Sequence, residues 1–174
     1  SLNDAGDIVA IGAYQNVDSG HVRVYQNVGG TWTQIGQDID GEDAGDSSGI
    51  RVSLNSAGNV VAIGAHLNDG NGVDSGHVRV YQNVDGTWTQ IGDDIDGDAA
   101  GDQFGISVSL DQYGNILAVG ATYNDGVNGV DSGRVKVYEY DGANWTQLGQ
   151  DIDGEAAGDN NGFSVSFNQG GTIL

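Results

Sequence analysis

The sequence predicts an all-β fold made of β-propeller blades. Three observations carry this: one segment recurs at intervals suited to a blade, four strand-like runs fill each interval, and no stretch has helical periodicity over ten or more residues. SLNDAGDIVAIGA at Ser1 returns as SLNSAGNVVAIGA at Ser53 and SLDQYGNILAVGA at Ser109, and begins again as SFNQGGTIL at Ser166. The spacings are 52, 56 and 57 residues. The chain therefore divides into repeats 1–52, 53–108 and 109–165 and a partial fourth, 166–174, within a single propeller-type region whose start is circularly permuted.

The third copy shows the four runs in order. FGISVSL opens the blade, and NILAVGA, almost wholly apolar, suits a strand buried on both faces. GRVKVYEY alternates, with Val135 and Val137 on one face against Arg134, Lys136 and Tyr138 on the other, and NWTQLGQ closes the set. Turn signals separate the runs: DAGD, SAGN or QYGN between the first and second, then GG, DG or DGAN between the third and fourth. Four antiparallel strands per repeat of this length make a blade, whereas a solenoid coil is about half as long. The shorter first period traces to one Gly/Asn/Asp loop, AYQNVDSG against AHLNDGNGVDSG and ATYNDGVNGVDSG, as an exposed loop permits.

The chain has 174 residues, with 25 Asp plus Glu against 5 Lys plus Arg, a formal net charge of −20. Such a surface repels nucleic acid and anionic membranes, because phosphate binding relies on Lys and Arg. No apolar run approaches the ~20 residues of a membrane span, so membrane insertion is not expected. The absence of cysteine removes disulfides, thiolate metal sites and a cysteine nucleophile. The 31 glycines stand between apolar runs and there is no proline, so they read as turn residues of an ordered β protein.

Phe104-Gly105-Ile106-Ser107-Val108 at the start of a blade, Ala118-Val119-Gly120-Ala121 in the next strand and the following GRVKVY at Gly133 resemble the FG-GAP repeats of integrin α-chain propellers and their bacterial surface-protein relatives. The resemblance runs repeat by repeat and implies a propeller in an extracellular, cell-surface and adhesive setting. The pattern departs at Ser48-Gly49 and Asn161-Gly162, which stand for Phe-Gly, and at Tyr14, His66 and Thr122, which stand for the proline of Gly-Ala-Pro. The hairpins LNDAGD, LNSAGN and LDQYGN lack the carboxylates of the family's calcium hairpin, so that site is not carried over.

Three further features bear on function. The frame D-x-D-G-x-x-x-G-D recurs as Asp38, Asp40 and Asp46; Asp94, Asp96 and Asp102; and Asp151, Asp153 and Asp159. Closely spaced carboxylates round a glycine turn suit Ca²⁺, while the same residues also suit a blade-to-blade turn capped by Asp. Asp125, Asn128 and Asp131 form a second oxygen-rich stretch, read as an exposed loop. Trp32, Trp88 and Trp145 recur at one position and are expected to pack between blades, with stacking on sugars as the alternative. His21 and His77 align with Arg134, and that arginine speaks against a metal site at the histidines; the basic strand positions are expected to pair with carboxylates.

These readings give an extracellular structural or adhesive module, calcium-stabilised in the fullest version, with a calcium-dependent glycan-binding propeller as the alternative. Since three blades cannot close a ring, the partner expected is another copy of the chain, with strand completion in trans, or a longer array. A protein or glycan ligand is compatible with either reading. The copies are too alike to distinguish a catalytic constellation, so no enzymatic activity is expected.

Overall fold

The computed structural model describes residues 1–16 and 19–168. Its strands fall into three antiparallel sheets, one per repeat. The first blade holds β1 (Ile8–Ala13), β2 (His21–Val28), β3 (Thr31–Gln34) and β4 (Ile39–Asp40). The second holds β5 (Arg51–Leu54), β6 (Val60–Ala65), β7 (His77–Val84), β8 (Thr87–Gln90) and β9 (Ile95–Asp96). The third holds β10 (Ser107–Leu110), β11 (Ile116–Ala121), β12 (Arg134–Tyr140), β13 (Trp145–Gln147) and β14 (Ile152–Asp153). The second and third sheets run β5-β6-β7-β8 and β10-β11-β12-β13, so consecutive strands are neighbours, as in a blade.

The first blade lacks a full inner strand. Residues 1–3 stand in its place: Leu2 bridges to Val9, Ser1 exchanges backbone bonds with Ala10 and Asn3 N donates to the Ile8 carbonyl. At the other end, residues 162–168 lie beside β10 without joining a sheet: Ser107 Oγ donates to the Gly162 carbonyl at 2.6 Å, and Phe167 N donates to Ser109 Oγ at 3.0 Å. Among the described residues, 162–168 form no strand where one is expected to open a fourth repeat. The rest of that expected copy lies outside the described residues.

The outermost run departs from the expected single strand. It is split in two, with β3, β8 and β13 pairing with the far halves of β2, β7 and β12, and β4, β9 and β14 with their beginnings. The break falls at Gly36, Gly92 and Gly149, whose φ of 76°, 73° and 79° takes the chain out of the extended region. After the kink, Ile39 and Ile95 turn into the core and re-enter the ladder. The acidic frame read as one turn is thus half strand: Ile-Asp pairs with the third strand, and only the residues after it cross to the next blade.

The hairpin between inner and second strand is built by its first Asn or Asp. Asn55 Oδ1 accepts from the backbone N–H of Asn59 and Val60, and Asp111 Oδ1 from Gly114, Asn115 and Ile116, each at 2.9–3.0 Å. These side chains replace ladder partners at the tight turn.

The core lies between blades. One cluster joins Val22, Val24 and Ile39 of the first blade to Val61, Ile63 and Trp88 of the second. Another joins Val78, Val80 and Ile95 to Leu117, Val119 and Tyr138 of the third, where the Phe104 ring meets Tyr138 edge-on at 6.3 Å. Each such side chain removed from water contributes about 1.5–3 kcal/mol, so each sheet depends on the next for its stability.

Candidate functional site

The two junctions between blades are built by the same residues. Gly12, Gly64 and Gly120, in the second strand of each blade, lie against the backbone of Gly49, Gly105 and Gly162, each four residues before the next repeat begins, and a Cβ on the former would run into the carbonyl oxygen. The Gly of Gly-Ala and the Gly of Phe-Gly are therefore one contact, in which two backbones meet with no side chain between them. Nearby, Leu54 N donates to Ser1 Oγ at 3.0 Å and Leu110 N to Ser53 Oγ at 2.9 Å.

At the outer edge the recurring tryptophan seals the junction. Trp88 Nε1 donates to the Ile35 carbonyl at 2.9 Å, and Trp145 Nε1 to the Ile91 carbonyl at 3.0 Å, with the rings over Gly36 and Gly92. Gln37 brackets Trp88, donating to its carbonyl at 2.7 Å and accepting from its N–H at 3.1 Å. Packing between blades is thus the role of Trp88 and Trp145. Among the described residues no blade covers Trp32: it is 45 % exposed against 3 % for Trp88, and with Val9, Ile11 and Tyr25 it lines a shallow apolar hollow.

The acidic crossings lie on one end of the arc. Asp46 Oδ2 accepts from Asp43 N at 3.1 Å and from Asn68 Nδ2 of the next blade at 3.0 Å, and Asp102 Oδ2 accepts from Ala99 N at 3.1 Å and Asn124 Nδ2 at 2.7 Å. Burial pushes the Asp102 carboxyl up from its ordinary value, against the pull of the Asn124 bond. Asp159 Oδ2 caps its own turn through Ala156 N at 2.7 Å. The third Asp of each frame is thus a turn cap and, in two of three copies, a tie between blades.

The first two Asp of each frame face the basic strand positions. Arg23 clamps Asp38 at 2.7 Å while Gln34 donates to the same carboxylate at 2.7 Å, and these bonds hold the Asp38 carboxyl down at about 2. Arg134 contacts Asp153 at 2.7 Å, Asp151 at 3.1 Å and Asp98 at 3.2 Å, and Lys136 reaches Asp98 at 2.6 Å. Burial, with Asp98 and Asp151 adding to it, raises the Tyr138 hydroxyl above its ordinary value. The expected pairing of basic residues with carboxylates is formed here. In the long loop, Asp131 N donates to Asp125 Oδ1 at 2.9 Å within the loop's own turn, and Asn128 Nδ2 donates to the Gly154 carbonyl of the acidic frame at 2.7 Å.

Among the described residues, ligand-bearing atoms come within 4.8 Å of one another in two groups, His21–Asp38–Asp40 and Glu42–His77–Asp94. Both can hold a metal ion by composition. Each sets a histidine beside first-half aspartates of the frame; the frame's third Asp is in neither. Sequence reasoning did not anticipate the histidines here, nor the tie made by Asn68 and Asn124. The signal for the latter was present, since Asn16, Asn68 and Asn124 recur two residues after the variable position that follows Gly-Ala.

An arc of four- and five-stranded sheets joined through Gly–Gly, Trp–carbonyl and Asn–Asp contacts defines a β-propeller module. Residues 88–138 match the model of the FG-GAP repeat, which bears out the expected resemblance over that stretch. No curated protein matches the chain. Among solved structures, the chain is similar to a protein of Bacteroides uniformis named a "putative 6-phosphogluconolactonase": 14 % identity over 89 % of this chain and 40 % of that one, with a TM-score of 0.61. A periplasmic gluconolactonase of Pseudomonas aeruginosa aligns with 16 % identity, over 84 % of this chain and 38 % of that one, with a TM-score of 0.48. The chain spans about two-fifths of the length of these proteins. The expectation of no enzymatic activity is corrected by the first likeness. The shared fold includes a protein named as a lactonase, so likeness among the blades is no ground for excluding catalysis.

Proposed function

We propose that the chain is an assembly module of an extracellular adhesive protein, in which a second copy docks head to tail and continues the arc of blades. The observation that carries this is the match between its two uncovered faces, which hold the two halves of the junction already formed twice within the chain. The leading face presents Trp32, the counterpart of Trp88 and Trp145. The trailing face presents Leu148 and Gly149, the counterparts of Ile35–Gly36 and Ile91–Gly92, with open space over Gly149 where the other two meet an indole.

The polar parts agree. Gln150 corresponds to Gln37, which brackets a tryptophan backbone, and Asp159 with Asn16 corresponds to Asp46 with Asn68. Ile152 on the trailing face is 46 % exposed, whereas Ile39 and Ile95 are 4 % and 7 % exposed beneath a following blade. Such a contact is heterologous: each copy uses one face as donor and the other as acceptor, so two copies close a ring or many extend it. Ser1–Leu2 and Ser166–Phe167 occupy equivalent places along the inner edge, so one of the two segments yields in the joined pair.

The adhesive, extracellular setting rests on the FG-GAP repeat match and on an acidic surface suited to cations and basic partners. Calcium at the nine frame aspartates is a lesser part of the proposal, because Asp46, Asp102 and Asp159 each already commit one carboxylate oxygen to a cap.

A mixing experiment tests the head-to-tail geometry. Trp32→Ala removes the indole, and Leu148→Asp places a charge in the notch. Each variant alone should sediment as a monomer, while an equimolar mixture should form a dimer through the one intact pair of faces. A mixture that stays monomeric while the unmodified chain associates would contradict the geometry.

A further inference from the structure

From the junction between the first and second blades, we infer that Glu42, His77 and Asp94 bind one divalent transition-metal ion. The three side chains meet at an open cavity that Asp46, Asp69 and Asp96 also line. His77 Nδ1 stands 3.9 Å from Glu42 Oε2 and 3.8 Å from Asp94 Oδ2, too far for a hydrogen bond to either. The His77 side chain is only 2 % exposed, and among the described residues its ring makes no hydrogen bond. Burial, with Arg79 adding to it, lowers the His77 pKa from its ordinary value against the opposing pull of Asp94 and Glu42.

The next junction shows what belongs between these two carboxylates. There Asp98 stands for Glu42, Asp151 for Asp94 and Arg134 for His77. The Arg134 guanidinium lies between them, with Nη1 at 3.2 Å from Asp98 and 3.1 Å from Asp151. At the first junction an imidazole takes the arginine's place. Arg79 turns to Glu42 at 3.4 Å and to the Asp40 carbonyl at 2.8 Å, and forms no ion pair with Asp94. The first junction thus has a cation on one carboxylate but none between the two, and the His77 ring stands in that place.

One imidazole and two carboxylates suit Zn²⁺ or Co²⁺ better than Ca²⁺, which takes six to eight oxygens. Bonds of about 2.0–2.2 Å to a tetrahedral ion would draw the ligand atoms together by roughly half an ångström, with water at the fourth position. In the corresponding set of the first blade Arg23 bonds both oxygens of Asp38, whereas Gln90 takes only Oδ1 of Asp94 and Arg79 approaches only Oε1 of Glu42, which leaves Asp94 Oδ2 and Glu42 Oε2 toward His77. One ion per chain follows. The arginine of the third copy, which in sequence speaks against a histidine metal site, is in three dimensions the internal substitute for the ion.

Co²⁺ is the probe, titrated into chelator-stripped chain. We expect visible d–d absorption saturating at one Co²⁺ per chain, displacement by Zn²⁺, and no competition from a tenfold excess of Ca²⁺. His77→Gln should weaken Co²⁺ binding at least tenfold. His77→Arg, which copies the next junction, should abolish the absorption while raising the melting temperature of the metal-free chain. Circular dichroism would confirm that each variant keeps its β structure, and the Gln variant carries the test if the Arg variant does not fold. Equal Co²⁺ affinity in unmodified chain and the folded His77 variant, or no absorption in unmodified chain, would overturn the assignment.

Discussion

Replacing Trp88 by alanine should destabilise the chain far more than the same change at Trp32, although both stand in the same Thr-Trp-Thr-Gln sequence. The Trp88 ring is buried between blades and its N–H is bonded to the Ile35 carbonyl. An indole burying roughly 150–250 Å² gives about 4–6 kcal/mol of transfer free energy at 25 cal/mol per Å². Partial collapse of the cavity lowers the expected loss to about 3–5 kcal/mol, with about 1 kcal/mol of it from the orphaned carbonyl. For a chain of this size that lowers Tm by roughly 6–20 °C. Trp32→Ala removes a half-exposed ring, and should cost less than about 1 kcal/mol in the monomer. The assay is urea and thermal unfolding followed by circular dichroism, at protein concentrations low enough to keep the chain monomeric. Equal losses from the two substitutions, or a loss below about 1 kcal/mol for Trp88→Ala, would refute the packing argument.

The remaining predictions concern other parts of the junctions. Gly64→Ala places a methyl against the Gly105 carbonyl and should cost at least about 2 kcal/mol, read by urea unfolding; a neutral result would mean the two backbones are not in contact. The Asp38 carboxyl should titrate near 2 by NMR and move toward about 4 in Arg23→Gln. Because its folded value is depressed, the stability it contributes is present above about 4 and lost as pH falls toward 2. His77 and His66 are also held below the ordinary histidine value by burial, so the unfolded chain binds more protons near pH 6. Metal-free chain should therefore lose stability as pH falls through about 6.5, with a shallower slope in His77→Gln. If calcium occupies the acidic frames, Tm should rise with added Ca²⁺ and fall with chelator; an unchanged Tm leaves those aspartates as turn caps and side-chain partners alone.

The repeat and its strands were legible because blade geometry writes a period into the chain, and turn residues mark where each strand stops. The place of Trp88 and Trp145 could likewise be read, since a ring recurring once per blade has the same neighbour each time. The split outer strand was not legible: the kink depends on the left-handed conformation of Gly36, Gly92 and Gly149, and a glycine at a strand's end reads equally as a turn. Sequence shows Asp38, Asp40 and Asp46 close together, but the fold separates their roles. The first meets Arg23 of its own blade, while the third reaches forward to Asn68 of the next. Glu42, His77 and Asp94 lie far apart in sequence and share a cavity only because two blades stack. No local pattern brings them together.

Sedimentation equilibrium of the unmodified chain across a wide concentration range tests the central claim most directly. If the two uncovered faces are halves of one junction, the mass should rise with concentration to a multiple of 17.9 kDa, and Trp32→Ala should return it to a single chain. A 17.9 kDa species at every concentration would contradict the account, because Trp32, Leu148 and Ile152 would then remain in water with nothing to cover them.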